Sequence, residues 1–179
     1  MRITVRERKH RESPLLVDVV VPLYILILVT LTLRAIGALG VRKFSCFREA
    51  ALVALAVMFL FTGTTHFTDM KQDYLAMIPD PLPRTFWLIY LTGVLEISGA
   101  VGLLVPALRR TASICLAVLL LAMFPANVHA SLNEIPFRGQ PPTALWLRAF
   151  LQAGFVGLLM WVSVIGEHRT GDPGGQACA

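Results

Sequence analysis

Five residues in an otherwise apolar sequence carry groups able to exchange a proton or hold a polar ligand: His66, Glu96, Asn127, Arg148 and Gln152. Glu96 is the most informative. It lies near the middle of FWLIYLTGVLEISGAVGLLVPA, Phe86–Ala107, which as a helix rising ~1.5 Å per residue extends ~33 Å and crosses a bilayer. A carboxylate at that depth is expensive and needs a partner or a wet cavity. Thr92, Gly93, Gly99, Ala100 and Leu103 share its face at helical spacing. All but Leu103 are small, and small residues let helix backbones approach closely in lipid. Glu96 is therefore expected to face into a helix bundle.

The other four are placed by depth. His66 closes the apolar run Ala50–Phe67, and Asn127 and His129 fall late in the run that begins at Thr111. Arg148 and Gln152 lie ~6 Å and ~12 Å into the run Ala144–Ile165, against ~15 Å for Glu96 in its own. All five thus fall in one half of the bundle, with Gln152 and Asn127 expected nearest Glu96. The opposite half offers only small or apolar side chains at those depths. The carboxyl and the imidazole are proton carriers, while the amides and the guanidinium suit carbonyl or anionic oxygens. Each residue also has a structural reading. Glu96 would serve as interhelical glue, Arg148 would snorkel to the interface, and Asn127 would satisfy backbone freed by Pro125. His66, Asp69 and Asp73 are spaced to share one helical face, but a Pro-rich loop follows and a second histidine is missing, so no metal site is expected.

The elements that must carry these groups follow from composition. The chain of 179 residues is 56% hydrophobic and 15% charged, where soluble domains are about 25% charged. This is the composition of an integral membrane protein, and its length suits one all-α transmembrane bundle. Four parts are expected: a basic tail at 1–14, an additional N-terminal transmembrane helix with its linker at 15–41, a four-helix membrane bundle at 42–165, and a disordered tail at 166–179. The loop 68–85, with Pro79, Pro81 and Pro83, admits at most one helical turn. Trp87, Trp146, Trp161 and Tyr90 suit membrane-interface belts. The net charge of +5 resides at helix ends, which fits a bilayer partner and not nucleic acid. Cys46, Cys115 and Cys178 are widely separated and read as single thiols, not as a dithiol or zinc pair.

Charge and length disagree on orientation. For the last four spans, Arg34, Arg42, Lys43, Arg48, Arg109, Arg110 and Arg169 outnumber Lys71, Arg84, Arg138 and Arg148, which places 34–49 in the cytoplasm. A fifth span at Leu15–Leu33 would put the basic tail outside, against that rule. Its uncharged apolar length nonetheless favours five spans.

Taken together, TGTTHF (62–67), LTGVLEISGAVGLLVP (91–106), the turn Arg109–Arg110, FPANVHASL (124–132) and LWLRAFLQ (145–152) resemble the DoxX family of small bacterial membrane proteins. The resemblance covers about 48–165. It implies a four-helix DoxX-like core in the bacterial inner membrane, here with one additional helix, and a ligand set of His66, Glu96, Asn127, Arg148 and Gln152. It further implies a redox-associated subunit that binds a quinone or similar amphipathic molecule. The chain has no haem, iron–sulfur or flavin motif, so electrons would come from a membrane or redox partner protein. The alternative is a non-enzymatic scaffold or assembly factor whose polar cluster only packs helices. The sequence leaves open whether the protein catalyses a reaction. Transport finds no support in an inverted repeat or a broken helix pair.

Overall fold

The computed structural model describes residues 17–80 and 82–165. The expected tails at 1–14 and 166–179 lie outside the described residues. Six α-helices follow one another: α1 Val17–Ala38, α2 Phe47–Thr65, α3 Lys71–Met77, α4 Phe86–Leu104, α5 Arg109–Leu132 and α6 Leu145–Met160. All but α3 are long and apolar enough to cross a membrane. The architecture is an all-α bundle of a multi-pass membrane protein, in which α2 packs on α4, α4 on α5 and α5 on α6, while α1 packs against α2 and sends Leu26 into the core. Tyr24, Leu28 and Leu31 of α1, Val118 and Leu121 of α5, and Trp146 and Phe150 of α6 are all well exposed. In water such a surface would be a liability, whereas a bilayer covers it. Trp87 and Trp146 open α4 and α6 at one rim, and Trp161 lies at the other against Phe47, with ring centroids 6.0 Å apart.

Small residues set the helix spacing, as the face of Glu96 predicted. A Cβ built on Gly63 would lie 3.1 Å from the Gly93 carbonyl oxygen, and one on Gly93 would lie 3.0 Å from that of Gly63 and 2.7 Å from the His66 Cβ. The two glycines therefore form the point where α2 and α4 touch backbone to backbone. Gly99 and Gly102 seat α5 in the same way, against Leu116 and Ala112. The apolar core lies on one side of the α2–α4 contact. Leu52, Leu55, Phe59, Leu103, Leu116, Leu159 and Val162 interlock there.

That apolar half also has polar ties, made by small serines within it and by charged groups at the helix ends. Arg109 grips Glu49 with two N–H groups, at 2.9 and 3.2 Å. Ser113 donates to Ser163 (2.5 Å), both fully buried. Arg48 Nε donates to the Val162 carbonyl (2.7 Å), at a π-helical turn, Trp161–Ile165, that widens the end of α6. Serines are small enough to be read as packing residues, and their pairing becomes visible only in three dimensions. Cys46 is disulfide-bonded, so the single-thiol reading fails for it, and Cys115 is free.

The other half departs from expectation in α3. His66 lies level with Gly93, the eighth residue of α4, so α2 stops ~10 Å short of where α4 begins. The segment expected to hold at most one turn folds as α3 and fills that gap. His129 Nδ1 donates to the Met77 carbonyl (3.2 Å), and Asp73 Oδ2 accepts the Arg138 amide (3.1 Å). Arg138 and Gly139, at φ 51° and 72°, form a tight turn closed by paired Phe137–Gln140 backbone bonds. Asp73 thus secures a backbone conformation that costs a non-glycine residue energy.

Gly93→Val should lower stability by roughly 1–3 kcal/mol, because the α2–α4 contact has no room for a side chain. Gly154→Ala, where nothing lies within 4 Å of an added Cβ, should be neutral or slightly stabilising. Thermal unfolding of both variants in detergent checks the contrast.

Candidate functional site

The close α2–α4 contact builds a reciprocal polar network. Thr62, one residue before Gly63, donates to Glu96 Oε2 (2.6 Å). Thr92, one residue before Gly93, lies 3.2 Å from His66 Nδ1. The two antiparallel helices thus each present Thr-Gly followed by an ionisable group, T-G-x-x-H on α2 and T-G-x-x-E on α4. The threonine of each meets the ionisable residue of the other. His66 and Glu96 are only 4% exposed, and Nε2 and Oε1 face each other at 3.6 Å.

Hydrogen counting defines this network. Thr92 has one hydroxyl hydrogen, which goes to the Ile89 carbonyl (2.7 Å). Its oxygen can therefore only accept from His66, so His66 Nδ1 carries a hydrogen. In neutral imidazole that leaves a bare lone pair on Nε2, pointing at a carboxyl oxygen. Two lone pairs opposed in a dry interior repel, whereas a proton on either atom makes the contact attractive. The geometry therefore calls for one proton held by the pair. At 3.6 Å the groups are too far apart for a direct hydrogen bond, so the proton passes only after a small approach or through a water.

Tyr74 of α3 closes the network from above. Its ring stacks on His66, with centroids 4.6 Å apart and planes 17° from parallel. Its hydroxyl donates to Thr65 Oγ1 (2.8 Å), since the Thr65 hydrogen is committed to the Thr62 carbonyl (2.6 Å). A cavity of about 300 Å³ opens beside His66, between α3, α4 and α5. His66, Thr92, Tyr74 and Asn127 supply its polar atoms, and Leu88, Ile89, Leu95, Met123 and similar residues its apolar walls. Glu96 is not on its surface and acts there only through His66.

The remaining predicted residues gather elsewhere. Arg148 Nη1 donates to Asn127 Oδ1 (2.9 Å) and Arg148 Nε to the Thr143 carbonyl (3.3 Å). Gln152 Nε2 donates to the Leu120 carbonyl (2.7 Å). Pro125 deprives Leu121 of its usual partner amide, and Gln152 serves the carbonyl one residue earlier. The Leu120 carbonyl still has the Phe124 amide as its helical partner, so this bond adds a side-chain donor beside the proline and does not replace the one Pro125 lacks. Arg148, Asn127 and Gln152 line a second cavity of about 220 Å³, whose walls include Pro22 of α1 and Phe155 of α6. Tyr74, Met77 and Asn127 border both spaces. The five predicted residues thus share one half of the bundle but form two adjacent sites. Glu96 is met by Thr62 and His66, not by Gln152 and Asn127. Nor do His66, Asp69 and Asp73 share a helical face, because α2 ends at Thr65 and α3 begins only at Lys71.

Sequence reasoning places Thr92 on the face of Glu96 for its size alone and gives Thr62, Thr65 and Tyr74 no part in the site. The paired Thr-Gly dipeptides were the available signal. Too short to mark a repeat, they nonetheless mark where two helices touch.

Fold and site together define a multi-pass helical membrane protein with a buried His–Glu pair and two polar-edged cavities in one half of its bundle. Residues 55–164, more than half of the chain, match the family described as Domain of unknown function (DUF8561), and the chain belongs to that family. No curated protein and no solved structure matches the chain.

Nitrogen-15 NMR of histidine-labelled protein in lipid should show His66 Nδ1 protonated, in both the neutral and the charged ring. A bare Nδ1 with the hydrogen on Nε2 would contradict the hydrogen count.

Proposed function

We propose that this chain is a DoxX-like subunit of the bacterial inner membrane that binds a quinone or similar small amphipathic carbonyl compound in the larger cavity. In this reading the His66–Glu96 pair is the proton-exchanging group. The observation that carries the proposal is the buried His66–Glu96 contact at 3.6 Å, whose imidazole edges a largely apolar cavity. A volume of about 300 Å³ is at the lower end for small-molecule sites, and apolar walls with a few convergent polar groups are their usual composition. The site suits a flat apolar ring bearing a carbonyl oxygen. The Asn127 Nδ2 hydrogens would bond that oxygen, the apolar walls would exclude water, and His66 would hold or release a proton beside it. A bound quinone would supply the two-electron chemistry, with a membrane or redox partner protein as the electron source.

The second reading, a scaffold whose polar network only packs helices, is favoured by one specific observation. The pair sits where Gly63 and Gly93 bring the backbones into contact, which is where interhelical glue is most useful.

Glu96→Gln separates the two readings. As a proton carrier, the variant should unfold within roughly 1–2 kcal/mol of wild type, since Gln can still accept from Thr62. It should also bind a short-chain quinone measurably more weakly than wild type in an equilibrium assay. As glue alone, the variant keeps the same bond and unfolds in the same range, and neither it nor wild type should bind the quinone. Wild-type protein that binds no quinone at any pH would defeat the ligand proposal.

A further inference from the structure

The smaller cavity is a separate site with different chemistry. Among its described lining residues the one charged group is the Arg148 guanidinium, a permanent cation at any physiological pH. Among the described residues Arg148 has no carboxylate partner. Its hydrogen bonds go to two neutral acceptors, the Asn127 side-chain oxygen and the Thr143 carbonyl. The four ion pairs of the described residues involve other cations. A cation in the membrane half of a bundle normally pairs with an opposite charge or marks a ligand pathway.

The neighbours of Arg148 accentuate the imbalance. Arginine can only donate, so Asn127 must turn its oxygen to the guanidinium, which leaves the Asn127 NH₂ group free. Arg148 Nη2 makes no hydrogen bond to a described residue. Gln152 turns its NH₂ group to Leu120, so its amide is held in place as part of the wall. The hydroxyl of Tyr74 is committed to Thr65. Among the described residues the cavity therefore presents one positive charge and two unfilled donor groups, and none of its described lining residues is acidic. Elsewhere the wall is apolar: Pro22, Met77, Leu120, Leu151 and Phe155.

We propose that this cavity binds an oxyanion head group, a carboxylate or a phosphate, held by Arg148 Nη2 and Asn127 Nδ2. A planar guanidinium matches such a group at two oxygens, and charge-assisted bonds are the strong class. About 220 Å³ admits a head group and a few methylenes, not a whole amphiphile. Two sources share this chemistry: a membrane amphiphile whose chain leaves the cavity, and a small soluble anion. The site stands on Arg148 whether or not a quinone binds, but the two cavities share the wall of Tyr74, Met77 and Asn127, and ligands in both would call on the one Asn127 NH₂ group.

The test is equilibrium binding of radiolabelled oleate to the full chain in an uncharged detergent. Wild type should bind oleate saturably, and Arg148→Gln should weaken binding roughly tenfold or more. Arg110→Gln, which removes an exposed cation at the opposite end of the bundle, should leave it unchanged. Oleyl alcohol should compete poorly, a comparison that needs no variant and holds even if Arg148→Gln folds badly. Displacement by phosphatidylglycerol but not by millimolar inorganic phosphate would assign the site to a lipid head group. Displacement by phosphate would assign it to a soluble anion. Oleyl alcohol competing as well as oleate does, or an Arg148→Gln variant that binds as wild type does, would overturn the proposal.

Discussion

A carboxylate in the middle of an apolar helix has to be met by donors from another helix, and donors arrive only if the backbones come close. Gly63 and Gly93 provide that approach. With no side chain on either, α2 and α4 touch at a point one residue from Thr62 and Thr92 and three from His66 and Glu96. The polar network and the helix contact are therefore one feature. A larger residue at either glycine would push the threonines out of reach and leave an ionisable group unsatisfied in a dry interior, where the cost is highest.

The rest of the molecule is arranged around that contact. On one side the helices pack into a continuous apolar core, tied at its far end by Arg109 on Glu49 and Ser113 on Ser163. On the other side α2 has ended, and the space it vacates is only partly filled by α3. Two cavities result, separated by Tyr74, Met77 and Asn127. Tyr74 has a part in both the proton network and the cavity wall. Its ring covers His66 and its hydroxyl reaches Thr65. A ligand in either space would bear on the same wall.

The membrane-spanning helices and the face of Glu96 were legible in the sequence, because apolar length and small-residue spacing respond directly to the bilayer. So was the gathering of His66, Glu96, Asn127, Arg148 and Gln152 in one half, which follows from helix direction and depth alone. Pairing within that half was not legible. Depth gives no azimuth, and it was azimuth that sent Arg148 to Asn127 and left Glu96 to Thr62 and His66. α3 was missed because prolines at 79, 81 and 83 dominate the reading of its neighbourhood, although Lys71–Met77 contains none. Ser113 and Ser163 were overlooked because a serine in an apolar run resembles a spacer until a partner appears opposite.

Coupling between His66 and Glu96 is the central claim, and a double-mutant cycle tests it most directly. Thermal unfolding in detergent would be compared for wild type, His66→Gln, Glu96→Gln and the double variant. If the two side chains hold one proton as a unit, the single losses should fail to add, with a coupling of order 1 kcal/mol or more. Losses that add within experimental error would show two independent polar groups and contradict the account.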